Sequence, residues 1–249
     1  MTGVGAPMDW SDEGIVLHVR PHGESSAILE LLTRDHGRHM GLVRGGGSKR
    51  MRGVLQPGNT LSVTWRARLQ EHLGNYTAEP VAQRVATVLA DRQALAGLTS
   101  SAALASAVLP EREAHPRVYE GLTILLDALD TPETWPAILV RWELGVLEDL
   151  GFGLDLSACA LTGETENLAY VSPRSGRAVT AEAAGTYKER LLPLPPFLTG
   201  GGQASAEDVQ DGLRLTEFFL EKRVFAPSDK QLPVPRIGLA EALAASVGR

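Results

Sequence analysis

Basic side chains are concentrated in one segment of the chain, between residues 34 and 68. The segment holds eight basic residues against one acidic residue, Asp35. The basic residues are Arg34, Arg38, Arg44, Lys49, Arg50, Arg52, Arg66 and Arg68. Locally concentrated Lys and Arg side chains bind phosphate groups and release the counterions of a polyanion. The segment therefore predicts an anionic partner, and its eight cations are the candidate contacts.

The remainder of the chain is acidic. The whole chain has 24 basic and 30 acidic residues and a net charge of -6, so that 16 basic and 29 acidic residues lie outside the basic segment. A solvated basic face without a partner is the alternative interpretation. We favour a binding surface, because the segment has the period-two pattern of a sheet, which can gather its cations on one side.

The sequence gives little evidence for a catalytic or metal-binding site. The glycine-rich stretch 41–50 lacks the Gly-Lys-Ser/Thr order of a nucleotide-hydrolysis loop, and Gly-x-Ser-x-Gly is absent from the chain. His18, His22, His36 and His39 have spacings that do not place them on one face of a strand, so we interpret them as surface histidines. Cys159 is interpreted as a small buried residue. We therefore expect no enzyme, no metal and no cofactor.

The basic segment lies within a region that has the pattern of a small barrel. Five short strands are predicted at 15–19, 27–33, 39–43, 61–66 and 73–78, with glycines at the breaks. Five strands in about 70 residues favour an OB-type barrel, because closure removes exposed sheet edges. The segment 45–53 is predicted to be its most mobile and most basic loop.

Few aromatic residues accompany the cations. Between residues 11 and 80 the only aromatics are Trp65 and Tyr76, and Trp65 alternates with Leu61 and Val63 on the apolar side of its strand. We therefore place Trp65 in the core, and we expect base stacking to be minor beside phosphate contacts. A protein that holds the backbone leaves the bases free to pair, which is what strand annealing requires.

After residue 80 the period becomes helical. An alanine-rich stretch contains Val85, Val88, Leu89 and Leu95, a stripe runs from Val118 to Leu129, and a further helix is predicted to start at Thr131-Pro132 and to end at Gly151. Ser205 with Asp208 predicts another helix start, and a last helix is predicted at 239–247. The fold class is therefore α+β, with an OB-type barrel (1–80) followed by an all-helical domain (81–249) that has an irregular β-like insertion (155–180).

Composition and length agree with a folded protein of the cytoplasm. The chain has 249 residues, of which 43% are hydrophobic, and a single cysteine that excludes an internal disulfide. Its apolar runs are too short to span a membrane, and the first ten residues lack a secretion signal. We expect no membrane association.

The order of several motifs resembles the RecO family of bacterial recombination mediators. The first set is Pro21-x-Gly23-Glu24-Ser25, His36-Gly37, a Gly-Arg-Lys loop and Leu55-Gln56-Pro57-Gly58. The second set is Trp142-Glu143-Leu144-Gly145, Leu150-Gly151-Phe152, Cys159-x-x-x-Gly163 and 170–176. The resemblance covers nearly the whole chain. It implies binding to single- and double-stranded DNA, strand annealing, and loading of recombinase onto gapped DNA together with RecR and the single-stranded-DNA-binding protein, at the nucleoid.

The resemblance also suggests two details of the helical part. Contact with the acidic, apolar tail of the single-stranded-DNA-binding protein would need a pocket that combines basic and apolar groups, for which Arg141 and Trp142 are candidates; alternatively, Arg141 faces solvent. Some members of the family hold zinc with four cysteines in the region that matches 159–180. Here only Cys159 is present and Thr162 occupies a cysteine position, so we expect packing by Leu168 and Tyr170 to replace zinc.

Two functions of other classes stay open at this point. The basic loop could bind an acidic protein partner, which would make the chain an interaction scaffold. Alternatively, His36, His39 and Asp35 could hold a metal for a hydrolase or nuclease.

Overall fold

A computed structural model describes residues 8–200 and 202–247 of the chain. The chain forms two compact units, Met1–Asp127 and Ala128–Arg249. Within the described ranges, no helix is both long and apolar enough to cross a bilayer.

The first unit begins with a closed five-stranded barrel, which confirms the predicted OB-type fold. Its strands are β1 (Met8–His22), β2 (Ser26–Thr33), β3 (Gly37–Val43), β4 (Thr60–Ala67) and β5 (Asn75–Ala82). They follow one another around the barrel in the order β1-β2-β3-β5-β4. All neighbours are antiparallel except β3 and β5, whose parallel pairing closes the barrel. Leu61, Val63 and Trp65 of β4 point inward and are buried, as their alternation predicts.

Strand β1 is longer than predicted because it pairs with two neighbours. Residues 14–22 pair with β2, whereas residues 8–15 pair with β4. The half that pairs with β4 is rich in polar residues such as Asp9, Ser11 and Glu13, which hides the strand pattern in the sequence. A bulge between Val16 and His18 bends the strand from one neighbour to the other.

Much of the predicted mobile loop 45–53 is instead a short helix, α1 (Lys49–Val54). The Ser48 hydroxyl caps the helix by accepting the backbone N–H of Met51. Val54 and the following Leu55 are buried in the barrel core with Leu29, Leu31 and Trp65. The prediction of a loop was wrong because this tertiary burial stabilises a helix that is too short to form alone.

In the first unit the barrel is followed by the helices α2 (Val85–Val88), α3 (Arg92–Val108) and α4 (Pro116–Asp127). The Asp91 side chain caps α3 by accepting the N–H groups of Gln93 and Ala94. The boundary that we place at residue 80 coincides closely with the end of β5, and as a domain boundary it stays a prediction.

The second unit contains the helices α5 (Trp135–Asp149), α6 (Ala181–Ala184), α7 (Ala206–Phe219) and α8 (Val234–Val247). Helix α5 begins after Thr134 rather than at Thr131, because residues 131–134 form a turn. Gly151 ends it as predicted, with a φ of 82° and the N–H of Phe152 bonded to the Leu147 carbonyl at 2.7 Å. The capping box of Ser205 and Asp208 on α7 is also confirmed. Helix α8 begins five residues earlier than predicted.

The predicted β-like insertion is a small sheet. Its strands are β6 (Leu168–Val171), β7 (Ala178–Thr180) and β8 (Leu192–Pro193), in the order β7-β6-β8. Leu168 and Tyr170 pack against a core that includes Cys159 and Ala184 of α6. This packing is the arrangement that we expect in place of a zinc site.

Candidate nucleic-acid interface

Four of the candidate cations lie at one end of the barrel. There the loop after β3 meets the hairpin between β1 and β2, since the N–H of Gly47 donates to the Ser25 carbonyl at 2.9 Å. This junction places the following residues together on an exposed surface, which we call the loop-helix surface: Arg44, Lys49, Arg50 and Arg52. Arg52 is held in place because its Nε donates to the Gly47 carbonyl at 2.9 Å.

The charge of the loop-helix surface is not neutralised by ion pairs. Among the described residues, no carboxylate lies within ion-pair distance of its four cations. Helix α1 has no acidic residue. Glu24 lies in the adjoining hairpin and is exposed. The four cations outnumber it, so the local net charge is strongly positive. Uncompensated cations at high local density attract a polyanion.

A fifth cation beside this surface, Arg20, lies outside the basic segment of the sequence. It pairs with Ile28 across β1 and β2, and Ile28 pairs with Leu42 on β3. Directly paired residues share a face of the sheet, so the exposed Arg20 is on the outside of the barrel. Counting charge by sequence window missed it, whereas the register of the first hairpin would have found it.

Arg66 and Arg68 lie beyond β5 on the same outer wall. Arg66 pairs with Asn75 on β5, and Asn75 pairs with Leu42 on β3. Arg66 is therefore two strands, or roughly 10 Å, from Leu42. The Arg66 side chain is 72% exposed, and its Nε is 3.6 Å from a similarly exposed Asp9 oxygen. Such a pair contributes little and opens readily. Arg68 is exposed just beyond the end of β4.

Two of the predicted contacts are placed elsewhere. Arg34 is exposed in the turn before β3, at the opposite end of that seven-residue strand and roughly 20 Å from Arg44. Arg38 is 16% exposed and its guanidinium is occupied. It lies 2.6 Å from Glu30 and 3.6 Å from Glu111, and its Nε donates to the Leu109 carbonyl. The structure therefore brings six of the eight candidates to one end or to the adjoining wall.

The aromatic side chains in the described part of the barrel are not exposed for contact with a ligand. Trp65 is buried, as predicted, with its Nε1 bonded to the Leu73 carbonyl, and Tyr76 is buried too. The remaining aromatic, Trp10, is half-buried and is covered on both sides. His36 stacks on it at 4.0 Å, and Trp65 lies at 5.7 Å. Stacking on bases is therefore a minor source of affinity for this surface.

The histidines of the barrel are not all on the surface, where we predict them. His18 and His22 are exposed, but His39 is buried inside the barrel, with its Nδ1 3.3 Å from the Tyr76 hydroxyl. Burial, assisted by the charge of Arg112, lowers the pKa of His39 to about 4. Trp10 and Asp12 hold His36, whose Nδ1 is 2.9 Å from an Asp12 oxygen. Surface placement was therefore wrong for His39, because the alternation of β3 turns it inward.

The set suggested for a nuclease does not form a metal site. His36 and His39 bind different partners, and Asp35 is exposed in a turn. In the part of the chain that the structure describes, no three His, Cys, Asp or Glu side chains are grouped as metal ligands.

Comparison with known proteins gives the family. Residues 8–84 match the family model "Recombination protein O N terminal", and residues 89–233 match "Recombination protein O C terminal". A DNA repair protein RecO of Ruegeria sp. is 53% identical over 92% of this chain and 94% of its own length. Those of Cereibacter sphaeroides and Rhodospirillum rubrum are 52% and 51% identical over 95% of this chain and 99% and 96% of their own lengths.

The chain belongs to the RecO family. It is thus a member of a family of DNA repair and recombination proteins, which confirms the resemblance given by its motifs.

The zinc site of some RecO members does not fit this chain. Cys159 is the one cysteine, and it is buried against the small sheet. The N–H of Thr180 donates to its Sγ at 3.4 Å. Burial would raise the pKa of the thiol, but hydrogen bonds from Thr162, Thr180 and Leu161 outweigh it and lower that pKa to about 6. These protein donors therefore stabilise the thiolate form of Cys159.

Arg141 and Trp142, the candidates for a RecO partner contact, are both engaged within the second unit. The Arg141 Nη2 donates to the Phe197 carbonyl at 2.7 Å, and the guanidinium lies 5.6 Å from the centre of the Phe197 ring. Arg141 is exposed, as the alternative interpretation has it, but its guanidinium is also bonded to Phe197. Trp142 is buried. A contact of the single-stranded-DNA-binding protein with these residues stays a prediction, and it would require Arg141 to exchange Phe197 for the partner.

Proposed function

We propose that this RecO family protein is a recombination mediator that binds single- and double-stranded DNA through the loop-helix surface and the adjoining wall of its barrel. The observation that supports this proposal is the group of exposed cations that have no carboxylate partner among the described residues: Arg20, Arg44, Lys49, Arg50 and Arg52. Arg66 and Arg68 extend the surface. Arg34 and Arg38, from their placement, contribute little to it.

Binding of this kind acts on the phosphate backbone. Guanidinium and ammonium groups reach phosphate oxygens of either strand form without reading base edges. The barrel offers no exposed aromatic residue between residues 8 and 82 for stacking. Bases of a bound strand then stay available, so the protein anneals complementary strands without catalysing a covalent step.

Family membership supports the rest of the proposal. The protein helps to load recombinase onto gapped DNA together with RecR, and it meets the single-stranded-DNA-binding protein on that DNA. It acts in the bacterial cytoplasm, at the nucleoid when engaged. These partners follow from the resemblance of the chain to RecO, and a pull-down with purified RecR tests the first of them.

The test of DNA binding is a fluorescence-anisotropy titration of a labelled 30-nucleotide strand and of its duplex. The variant Arg44→Ala/Lys49→Ala/Arg50→Ala removes three cations that have no described side-chain partner. Its matched control is Arg34→Ala/Arg92→Ala/Lys230→Ala, which removes three exposed cations elsewhere. We expect the first variant to lose at least tenfold in affinity for both DNAs at low salt, and the control to change less than threefold.

Two results would contradict the proposal. Equal affinities of the two variants would show that the loop-helix surface is not the contact. Binding of a polyglutamate probe by the wild type, without binding of either DNA, would favour the alternative of a scaffold for an acidic protein partner.

A further inference from the structure

A second group of cations surrounds the turn between β6 and β7 in the second unit. The N–H of Ser172 donates to the Arg177 carbonyl at 2.9 Å, and the N–H of Gly176 donates to the Ser172 carbonyl at 2.8 Å. Gly176 has a φ of 74°, which allows the tight turn. Arg174 and Ser175 are exposed at its tip. These hydrogen bonds therefore fix the backbone that presents the Arg174 cation and the Ser175 hydroxyl.

Two further cations come from the π-helical continuation of α7 at 220–225. The Lys222 Nζ donates to the Pro173 carbonyl at 2.7 Å. Arg223 lies against Gly176, where an added Cβ would be 2.7 Å from its Nη2. Its Nη1 donates to the Phe152 carbonyl at 3.2 Å, and its guanidinium is 4.6 Å from the centre of the Phe219 ring. Both side chains are thus fixed beside the turn.

The groups that fix these cations do not neutralise them. Carbonyl oxygens and aromatic rings hold Lys222 and Arg223, and no described carboxylate lies within ion-pair distance of either cation or of Arg174. Arg177 is paired with Asp155 at 3.3 Å, but both side chains are about half exposed. Exposed Glu221 adjoins Lys222 in the chain, so the patch sets four cations against Asp155 and Glu221 and stays net positive within a unit that has 11 basic and 17 acidic residues. Three cations held in place without a described carboxylate partner, with the paired Arg177 beside them, suit an anionic ligand.

We propose that this hairpin patch, formed by Arg174, Arg177, Lys222 and Arg223, is a second binding surface for the phosphodiester backbone of a nucleic acid. The inference rests on the proposed function and deepens it. One chain then holds one strand on its barrel and another on the hairpin patch, so that annealing does not require two protein molecules.

The chemistry of the patch favours a nucleic acid over an acidic peptide. Lys222 lies 5.1 Å from the centre of the Phe218 ring, as Arg223 does over Phe219, so cations rather than open apolar surface cover these rings. Phe152, whose carbonyl Arg223 contacts, is 37% exposed, so a peptide would find one aromatic contact beside the patch but none on the covered rings. A phosphodiester chain needs only cations and hydroxyl donors, which Arg174 and Ser175 supply at the tip.

The experiment compares the full-length wild type with two patch variants. Arg174→Ala/Lys222→Ala removes two free charges, and Arg174→Glu reverses one at the exposed tip, where no described side-chain contact supports the fold. Arg92→Ala/Lys230→Ala is the matched control. Each protein is assayed for annealing of complementary labelled 40-nucleotide strands by energy transfer, and for affinity toward one strand by anisotropy.

We expect the annealing rate to fall about tenfold in both patch variants, because the second strand is held more weakly. Affinity for one strand should fall less than threefold, since the barrel still binds it. In the barrel variant Arg44→Ala/Lys49→Ala/Arg50→Ala, the residual affinity should fall further when Arg174→Ala/Lys222→Ala is added.

Other outcomes would overturn the inference. Annealing by both patch variants at the rate of the control would show that the patch does not hold DNA, while the proposed function of the barrel stands. Loss of polyglutamate binding with unchanged annealing would assign the patch to an acidic peptide. Failure of the wild type to bind any DNA would remove the proposed function and this inference together.

Discussion

Glu143 of α5 and Arg236 of α8 form a fully buried ion pair. The Arg236 Nε lies 2.5 Å from one carboxylate oxygen of Glu143, and its Nη2 lies 3.0 Å from the other. Thr216 of α7 donates to the same carboxylate, and Arg236 also donates to the Leu213 carbonyl. The pair therefore joins three helices of the second unit at one point.

Removal of one partner of this pair should destabilise the protein strongly. Arg236→Met leaves the Glu143 carboxylate buried without its cation, which costs roughly 3–5 kcal/mol. We expect a clearly lower urea midpoint for the second unit. The double variant Glu143→Leu/Arg236→Met should recover much of the loss, because neither charge is then buried alone. A double variant as unstable as the sum of the single variants would contradict this account.

Stability should decrease as the pH falls through the range set by His39. Its pKa is about 4 in the folded protein and about 6.5 when unfolded. Between these values the unfolded chain binds more protons, so the free energy of unfolding rises with pH across this range and levels off above it. Urea unfolding at pH 4.5 to 8 measures this dependence. His39→Gln should weaken it, and an equally steep profile in that variant would assign it to other groups.

Two glycines near the barrel should respond in opposite ways to substitution by alanine. Gly37 has a φ of 67°, and a Cβ there would be only 1.7 Å from the Glu113 carbonyl oxygen. Gly37→Ala should therefore cost at least about 2 kcal/mol of stability. Gly53 lies in α1 with no atom near an added Cβ, so Gly53→Ala should stabilise by roughly 0.5–1 kcal/mol. Thermal melting of both variants checks this pair, and melting temperatures shifted in the same direction would refute it.

Most of the barrel could be predicted from the sequence, because the residues that point inward recur with period two along its strands. It does not reveal α1, since Lys49–Val54 forms a helix only when Val54 enters the core of the barrel. Charge counting finds all four cations of the loop-helix surface for a similar local reason. It misses Arg20, which register brings near, and it includes Arg38, which Glu30 and Glu111 occupy. These are properties of residues far apart in the chain, so a local pattern cannot contain them.

We expect the free cations of the loop-helix surface to bind phosphates. The slope of log K against log salt for a short duplex measures this binding directly. Each phosphate contact contributes roughly -0.9 to that slope, so Arg44→Ala/Lys49→Ala/Arg50→Ala should make the slope less steep by about 2.7. The control Arg34→Ala/Arg92→Ala/Lys230→Ala should retain the wild-type slope. A slope that is the same in all three proteins would contradict the account.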